Sequence, residues 1–226
     1  ARYLKMAINS ARGNFGPGRE MYIFKVPGSA TILQGDINHD GRIDMDDFTS
    51  YMNYTGLRAG DSDFDGYISG GDINKNGLID AFDISNVGVM TRGGASTRGM
   101  GTLSGKLELI APKSIREGEE VKVIVRGTDL NEVNAWSVAI PYDPNMLTYV
   151  NTTTIGNKEM ENLTYDRLHK NGVKALYPTF VNTGNKPVLS GTGTLVEITF
   201  IALKSGNLDL QMQDALLVDK KMNTIE

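Results

Sequence analysis

The chain has 226 residues, 40% of them hydrophobic and 22% charged, with a formal net charge of −4, a pI near 5.3 and no cysteine. This is a globular composition with room for one or two domains; it excludes disulfides, thiol catalysis and cysteine-zinc sites, and an acidic chain with scattered basic residues is a poor nucleic-acid binder. No apolar run reaches the ~18 residues of a membrane-spanning helix, and the 26 glycines lean the chain toward β structure with many turns.

The chain opens on Ala1-Arg2-Tyr3 with no visible signal peptide, which reads as a part of a longer protein. Over residues 1–30, Tyr3, Met6 and Ile8 lead into a Gly/Pro turn and then the run MYIFKV, predicting a β-hairpin that ends at Pro27-Gly28-Ser29. A lone hairpin is marginal in water, so this one either caps the following module or closes a sandwich begun upstream. RYLKM followed by REMYIFK is similar to the closing strands of a discoidin-type (F5/8 C) carbohydrate-binding domain. That family's sugar-binding loops would lie upstream, so the similarity brings no site residues.

Residues 31–92 hold the densest chemistry. Asp36 to Asp83 contains eleven Asp, no Glu and only Arg42, Arg58 and Lys75 as cations, a net of −8 in 48 residues. Carboxylates packed so closely repel one another unless divalent cations neutralise them, and metal binding would then supply folding free energy. Their spacing is that of EF-hand-type calcium loops, with side-chain oxygens at positions 1, 3, 5, 9 and 12, a carbonyl from 7 and Gly at 6. The first loop supplies Asp36, Asn38, Asp40, the Arg42 carbonyl, Asp44 and Asp47, turning at Gly41. The last supplies Asp72, Asn74, Asn76, the Leu78 carbonyl, Asp80 and Asp83, turning at Gly77. Ile43 and Ile79 at position 8 are expected to meet in a short β contact. Between them Asp61, Asp63, Asp65, the Tyr67 carbonyl, Ser69 and Asp72 repeat the spacing: either a third site sharing Asp72, or an acidic turn beside the true sites. All-oxygen ligands favour calcium over zinc, and magnesium demands tighter octahedral geometry.

Each outer loop runs into a short helix, with Phe48, Tyr51 and Met52 on one and Ile84, Val87 and Met90 on the other at three-to-four spacing. Gly35 and Gly71 directly precede the loops and argue against entering helices. GDINHDGRID and GDINKNGLID, each followed by one helix, resemble the dockerin domain of cellulosome-type assemblies over about residues 33–92. The resemblance implies a two-calcium, two-helix module that presents its helices to a cohesin. Met45-Asp46 and Ala81-Phe82 stand where clostridial type I dockerins place a Ser/Thr pair, so partner specificity does not carry over.

The Gly/Ser/Thr-rich run around 93–103 reads as a linker. From 104 to 226 the period is two. KLELIA, EEVKVIVRG, NAWSVAIPYD, MLTYVNTT, GVKALYPTF, GTLVEITFIAL and LDLQMQDALLV give seven candidate strands, with Val121, Val123 and Val125 inward and Lys122 and Arg126 outward. That density predicts an antiparallel β-sandwich or jelly roll, so the whole chain is expected to be mainly β with a small α module. Trp136, in a strand, is expected in the core. Tyr142-Asp143-Pro144, Leu147 and the GTGTLVEITF strand look like a cohesin domain, whose implied role is to hold a dockerin against one sheet face.

Catalytic signatures are missing from the sequence: there is no GxSxG, HExxH or phosphate loop, and His39 and His169 are expected at the surface. The expected function is non-catalytic, calcium-dependent dockerin–cohesin assembly, in cis or in trans, within a secreted or surface bacterial protein. The resemblances imply a glycoside hydrolase or other polysaccharide-acting parent. The alternative is a carbohydrate-binding sandwich with structural calcium, which calls for an exposed aromatic face built from Tyr142, Tyr149, Tyr165 or Tyr177.

Overall fold

The computed structural model describes residues 33–64, 68–91, 101–184 and 186–226. The hairpin and discoidin-like reading of residues 1–30, most of the linker, and Asp65 and Tyr67 of the middle loop lie outside these.

All seven expected strands form. β1 (Ser104–Ile110), β3 (Glu120–Val133), β10 (Leu189–Ala202) and β5 (Leu147–Thr154) make one antiparallel sheet in the order β1-β3-β10-β5. β12 (Gln213–Val218) and β4 (Ala135–Tyr142) are the centre of the second, flanked by β13 (Thr224–Ile225) on one side. On the other side β4 pairs with β8 (Lys174–Tyr177) and β9 (Thr179–Val181), which continue to β7 (Tyr165–Leu168) and β6 (Glu161–Asn162). A small ribbon joins β2 (Ser114–Ile115) to β11 (Gly206–Asn207).

The sequence period sets the sandwich core. Val121, Val123 and Val125 are at most 1% exposed, while Lys122 pairs with Glu197 across the outer face of the first sheet at 2.8 Å. Trp136 is fully buried and stacks on Phe180, with ring centroids 4.8 Å apart. In the same core Phe200 meets Tyr142 and Tyr149 edge-on.

Residues 33–91 carry two short helices, α1 (Met45–Tyr51) and α2 (Ala81–Thr91). α1 begins at a capping box: Asp44 takes the N–H of Asp46, and the Asp47 carboxylate takes that of Asp44. The expected apolar faces pack, burying Phe48, Tyr51, Ile84 and Val87, while Met52 and Met90 point outward. Gly88 lies against the Phe48 ring, and Tyr51 reaches the Gly71 carbonyl at 2.7 Å. Ile79 does not pair with Ile43. Its main chain bonds Gly56 and Leu57 instead, because the turn after α1 comes back alongside the last loop. Residues 31–226 form one compact unit, with the two-helix segment packed on the second sheet.

Candidate functional site

The loops 36–47 and 72–83 have the same internal geometry, position for position. At position 1, the carboxylate of Asp36 takes the N–H groups of Asp40 and Gly41, as Asp72 takes those of Asn76 and Gly77. At position 12, Asp47 takes the N–H groups of Ile37, Asn38 and Asp44, and Asp83 those of Ile73 and Asp80. Asn38 and Asn74 at position 3 bond the position-5 N–H, and Asp40 and Asn76 bond that of position 7. The backbone is left-handed at position 4 (His39 and Lys75, each φ 59°) and again at Gly41 and Gly77 (φ 88° and 82°), where a side chain would strain the turn.

Over Asp61 to Phe64 the middle loop has a different frame. A helical turn starts at Ser62, and Phe64 at position 4 donates to the Asp61 carbonyl at 3.1 Å. The Asp61 carboxylate turns instead to Arg58 N, Lys170 N and His169, while Asp72 is taken up as the first position of the last loop. Asp65 and Tyr67 of this loop lie outside the described residues, so only the hydrogen bonds at its start compare with the outer loops.

The outer loops offer a cation a fitting donor set. Among the described residues no three His, Asp or Glu side chains are drawn together tightly enough to hold a metal by themselves; these sets mix Asp with Asn and a main-chain carbonyl. Asp47 and Asp83 are fully buried, and Asp80 is 6% exposed. Burial pushes the Asp80 carboxyl up to about 6, and burial with the nearby Asp80 and Asp72 charges raises Asp83 well above the usual carboxylate range. The charges acting most strongly on both are other carboxylates, which is the electrostatics of a site that calls for a cation.

The second candidate feature is the outward face of the second sheet. β4 is buried on both sides. Trp136, Val138, Ile140 and Tyr142 enter the sandwich core, whereas Ala135 and Ala139 face the helical segment with Ser137 between them. These small residues let α2 approach closely. Around them Leu163, Val181, Leu216 and Val218 close a shared core with Ile37, Phe48, Tyr51, Ile68, Ile79, Ile84 and Val87. Polar groups bridge the same surface. Ala81 N, at the start of α2, donates to Ser137 Oγ (3.3 Å), and Asn134 Nδ2 donates to Ser85 Oγ (3.2 Å). Arg167 donates to the Asn53 and Thr55 carbonyls beyond the end of α1 (2.8 and 3.0 Å).

At one edge Arg58 Nε donates to the Tyr177 hydroxyl (3.0 Å), and its guanidinium pairs with Asp214. His169, expected at the surface, is 6% exposed between Asp61 and Tyr177, each 2.7 Å away. Sequence reading missed this face. Its signal was the uncharged run from Val133 to Tyr142, where the half-exposed strand at 120–126 alternates with Lys and Arg.

Gly56 tests the fit between the parts. Its φ is 76°, and a Cβ there would lie 2.2 Å from the Tyr177 ring. Gly56→Ala is expected to destabilise the folded chain by ~2–3 kcal/mol through backbone strain and overpacking. Thermal unfolding measures it; an unchanged Tm would mean this contact does not form in solution.

The described residues thus form a two-sheet antiparallel sandwich with one face closed by a helical segment. The chain belongs to the cohesin family: the cohesin domain model matches residues 105–225, the whole of the sandwich. Cohesin domains are non-catalytic protein-interaction modules that bind dockerins. Comparison with the curated proteins found no match. Among solved structures, the chain is similar to a cohesin module from a Clostridium perfringens family 33 glycoside hydrolase (18% identity, TM-score 0.44, covering 54% of this chain and 89% of that one). It is also similar to the second type II cohesin module of the ScaA adaptor scaffoldin of Acetivibrio cellulolyticus (16%, 0.44, 55% and 85%) and to a non-cellulosomal cohesin from Archaeoglobus fulgidus (20%, 0.38, 54% and 83%). No helix among the described residues is long and apolar enough to cross a membrane.

Proposed function

We propose that this chain is a calcium-dependent assembly region in which residues 33–91 act as a dockerin-like module and occupy the cohesin sheet of their own chain. The observation that carries the reading is the small-residue face of β4, closed by α2 through a shared apolar core and the Ala81–Ser137 and Asn134–Ser85 hydrogen bonds. Two calcium ions are assigned to the outer loops. One is held by Asp36, Asn38, Asp40, the Arg42 carbonyl, Asp44 and Asp47, the other by Asp72, Asn74, Asn76, the Leu78 carbonyl, Asp80 and Asp83. Calcium supplies charge neutralisation and loop order there, with no chemical step. The duplicated loop motifs beside a cohesin domain support an exported carbohydrate-active bacterial parent, in a setting where calcium is abundant.

The sugar-binding alternative has less aromatic surface to draw on: Tyr142 and Tyr177 are buried and Tyr149 is half-buried, while Tyr165 is exposed with the Arg167 guanidinium 4.4 Å from its ring centre.

A protease site placed within residues 93–99 of the full chain tests the proposal. After cleavage, native mass spectrometry is expected to find the two pieces together with two calcium ions, and apart in chelator. Pieces that separate in calcium would overturn occupation in cis.

A further inference from the structure

Resting on that reading, we propose that the Asp61 turn is the recognition key of this interface, and that the notch formed by His169, the Lys170 N–H and Tyr177 selects partners carrying a carboxylate at that place. The turn lies between the two metal loops and is presented rigidly: Asp61 N donates to the Arg58 carbonyl at 3.0 Å, and Arg58 N returns a bond to the Asp61 carboxylate at 3.1 Å. From the sheet side, the connection from β7 to β8 is fixed by His169 N on the Val173 carbonyl and Gly172 N on the His169 carbonyl. It delivers two donors to the two Asp61 oxygens, Lys170 N to one (3.0 Å) and His169 Nδ1 to the other (2.7 Å).

Donor counting makes the chain directional. Tyr177 has one hydroxyl proton and accepts from Arg58 Nε, so it gives that proton to His169 Nε2. A neutral imidazole then satisfies both neighbours only as the Nδ1–H tautomer, donating to Asp61. The series Arg58, Tyr177, His169, Asp61 crosses between segment and sheet twice, and each member completes another.

This arrangement discriminates by penalty. Asp61, His169 and Tyr177 are 8%, 6% and 4% exposed, so a module lacking the carboxylate leaves the buried His169 Nδ1–H without its acceptor and frees the Lys170 N–H. A sheet lacking the histidine takes from the buried Asp61 carboxylate its shortest hydrogen bond, leaving only the Arg58 and Lys170 N–H donors. Mismatches of that kind cost more than the matched contact gains, which is how an interface rejects near relatives. The remainder of the contact is apolar and small-residue packing, which any similar helix can supply; the notch is the part that cannot be imitated by shape.

The cleaved chain, in saturating calcium, is again the test. Asp61→Asn and His169→Ala are each expected to weaken association of the pieces by on the order of 100-fold, as for other buried charge-assisted pairs. The conservative Tyr177→Phe is expected to weaken it by about 10-fold, since a neutral hydrogen bond is worth about 1 kcal/mol but its loss leaves buried groups unpaired. Asp61→Asn combined with His169→Ala is expected to bind no more weakly than the poorer single variant, and the calcium count should remain two throughout. Additive losses, or variants that bind like the wild type, would overturn the key. A calcium count that falls with Asp61→Asn would also overturn it, by making Asp61 a metal ligand. If the wild-type pieces fail to associate in calcium, occupation in cis falls together with it.

Discussion

Removing calcium is expected to release residues 33–91 from the sheet while the sandwich stays folded. Each site at a thousandfold excess of calcium over its dissociation constant adds about 4 kcal/mol to the folded form. Amide exchange across α1 and α2 should therefore speed by at least ~1000-fold in chelator, and the protection of β4, β9 and β12 should fall with it. The physical ground is the buried acid of the loops: Asp47 and Asp83 are inaccessible, and Asp80 is nearly so.

The same acids give the chelated protein an unusual pH response. Asp80 is raised to about 6 in the fold, against ~3.9 in an unfolded chain. A raised folded value contributes stability that is present in full below the unfolded value and is lost as pH rises through the folded one. In chelator, the docked form of residues 33–91 is therefore expected to regain population as pH falls from 7 toward 5, and Tm to rise with it. In calcium, the same acidification protonates ligands and should lower it. Parallel responses in both buffers would show that the loops hold no metal.

Truncating Trp136 to alanine is expected to cost ~3–5 kcal/mol, the range for removing a large aromatic from a packed core. The ring is fully buried, stacked on Phe180 at 13° between planes, and belongs to the central strand of the second sheet. Because Ala135 and Ser137 on either side of it touch the helical segment, loss of the ring should also loosen that contact. Chemical unfolding measures the first effect, and calcium-dependent protection of α2 the second. A loss below ~1 kcal/mol would place Trp136 outside a close-packed core.

The features legible in the sequence are those with a local code. Calcium-loop spacing is set within twelve residues, and the repeat of that spacing at Asp36 and Asp72 comes with a repeat of backbone geometry. Strand alternation at Val121, Val123 and Val125 needs only nearest neighbours. What escaped was long-range. His169 looks like a surface residue until Asp61, 108 positions earlier, is brought against it. The contacts Asp61 makes with Lys170 and His169 are equally distant in sequence, and nothing local reveals that Ser62 starts a helical turn. Ile79 pairs with Gly56 and Leu57 rather than with Ile43 because chain reversal after α1, not loop symmetry, places its partner. β4 reads as an ordinary strand since alternation describes one face; the second face shows only as small uncharged residues where charged ones would be ordinary.

Only nine residues, 92–100, separate the end of α2 from Gly101, which precedes the first strand. Were residues 33–91 to act as the proposed module, a connection of that length would keep it at an effective concentration on the order of millimolar around its own sheet. A free module of equal intrinsic affinity would have to approach that concentration before it held the sheet half the time. On the proposed reading, competition in solution would be a weak lever on this chain, and calcium supply or a cut in the connection would be the strong one, since either would lower the local concentration of a competent module directly.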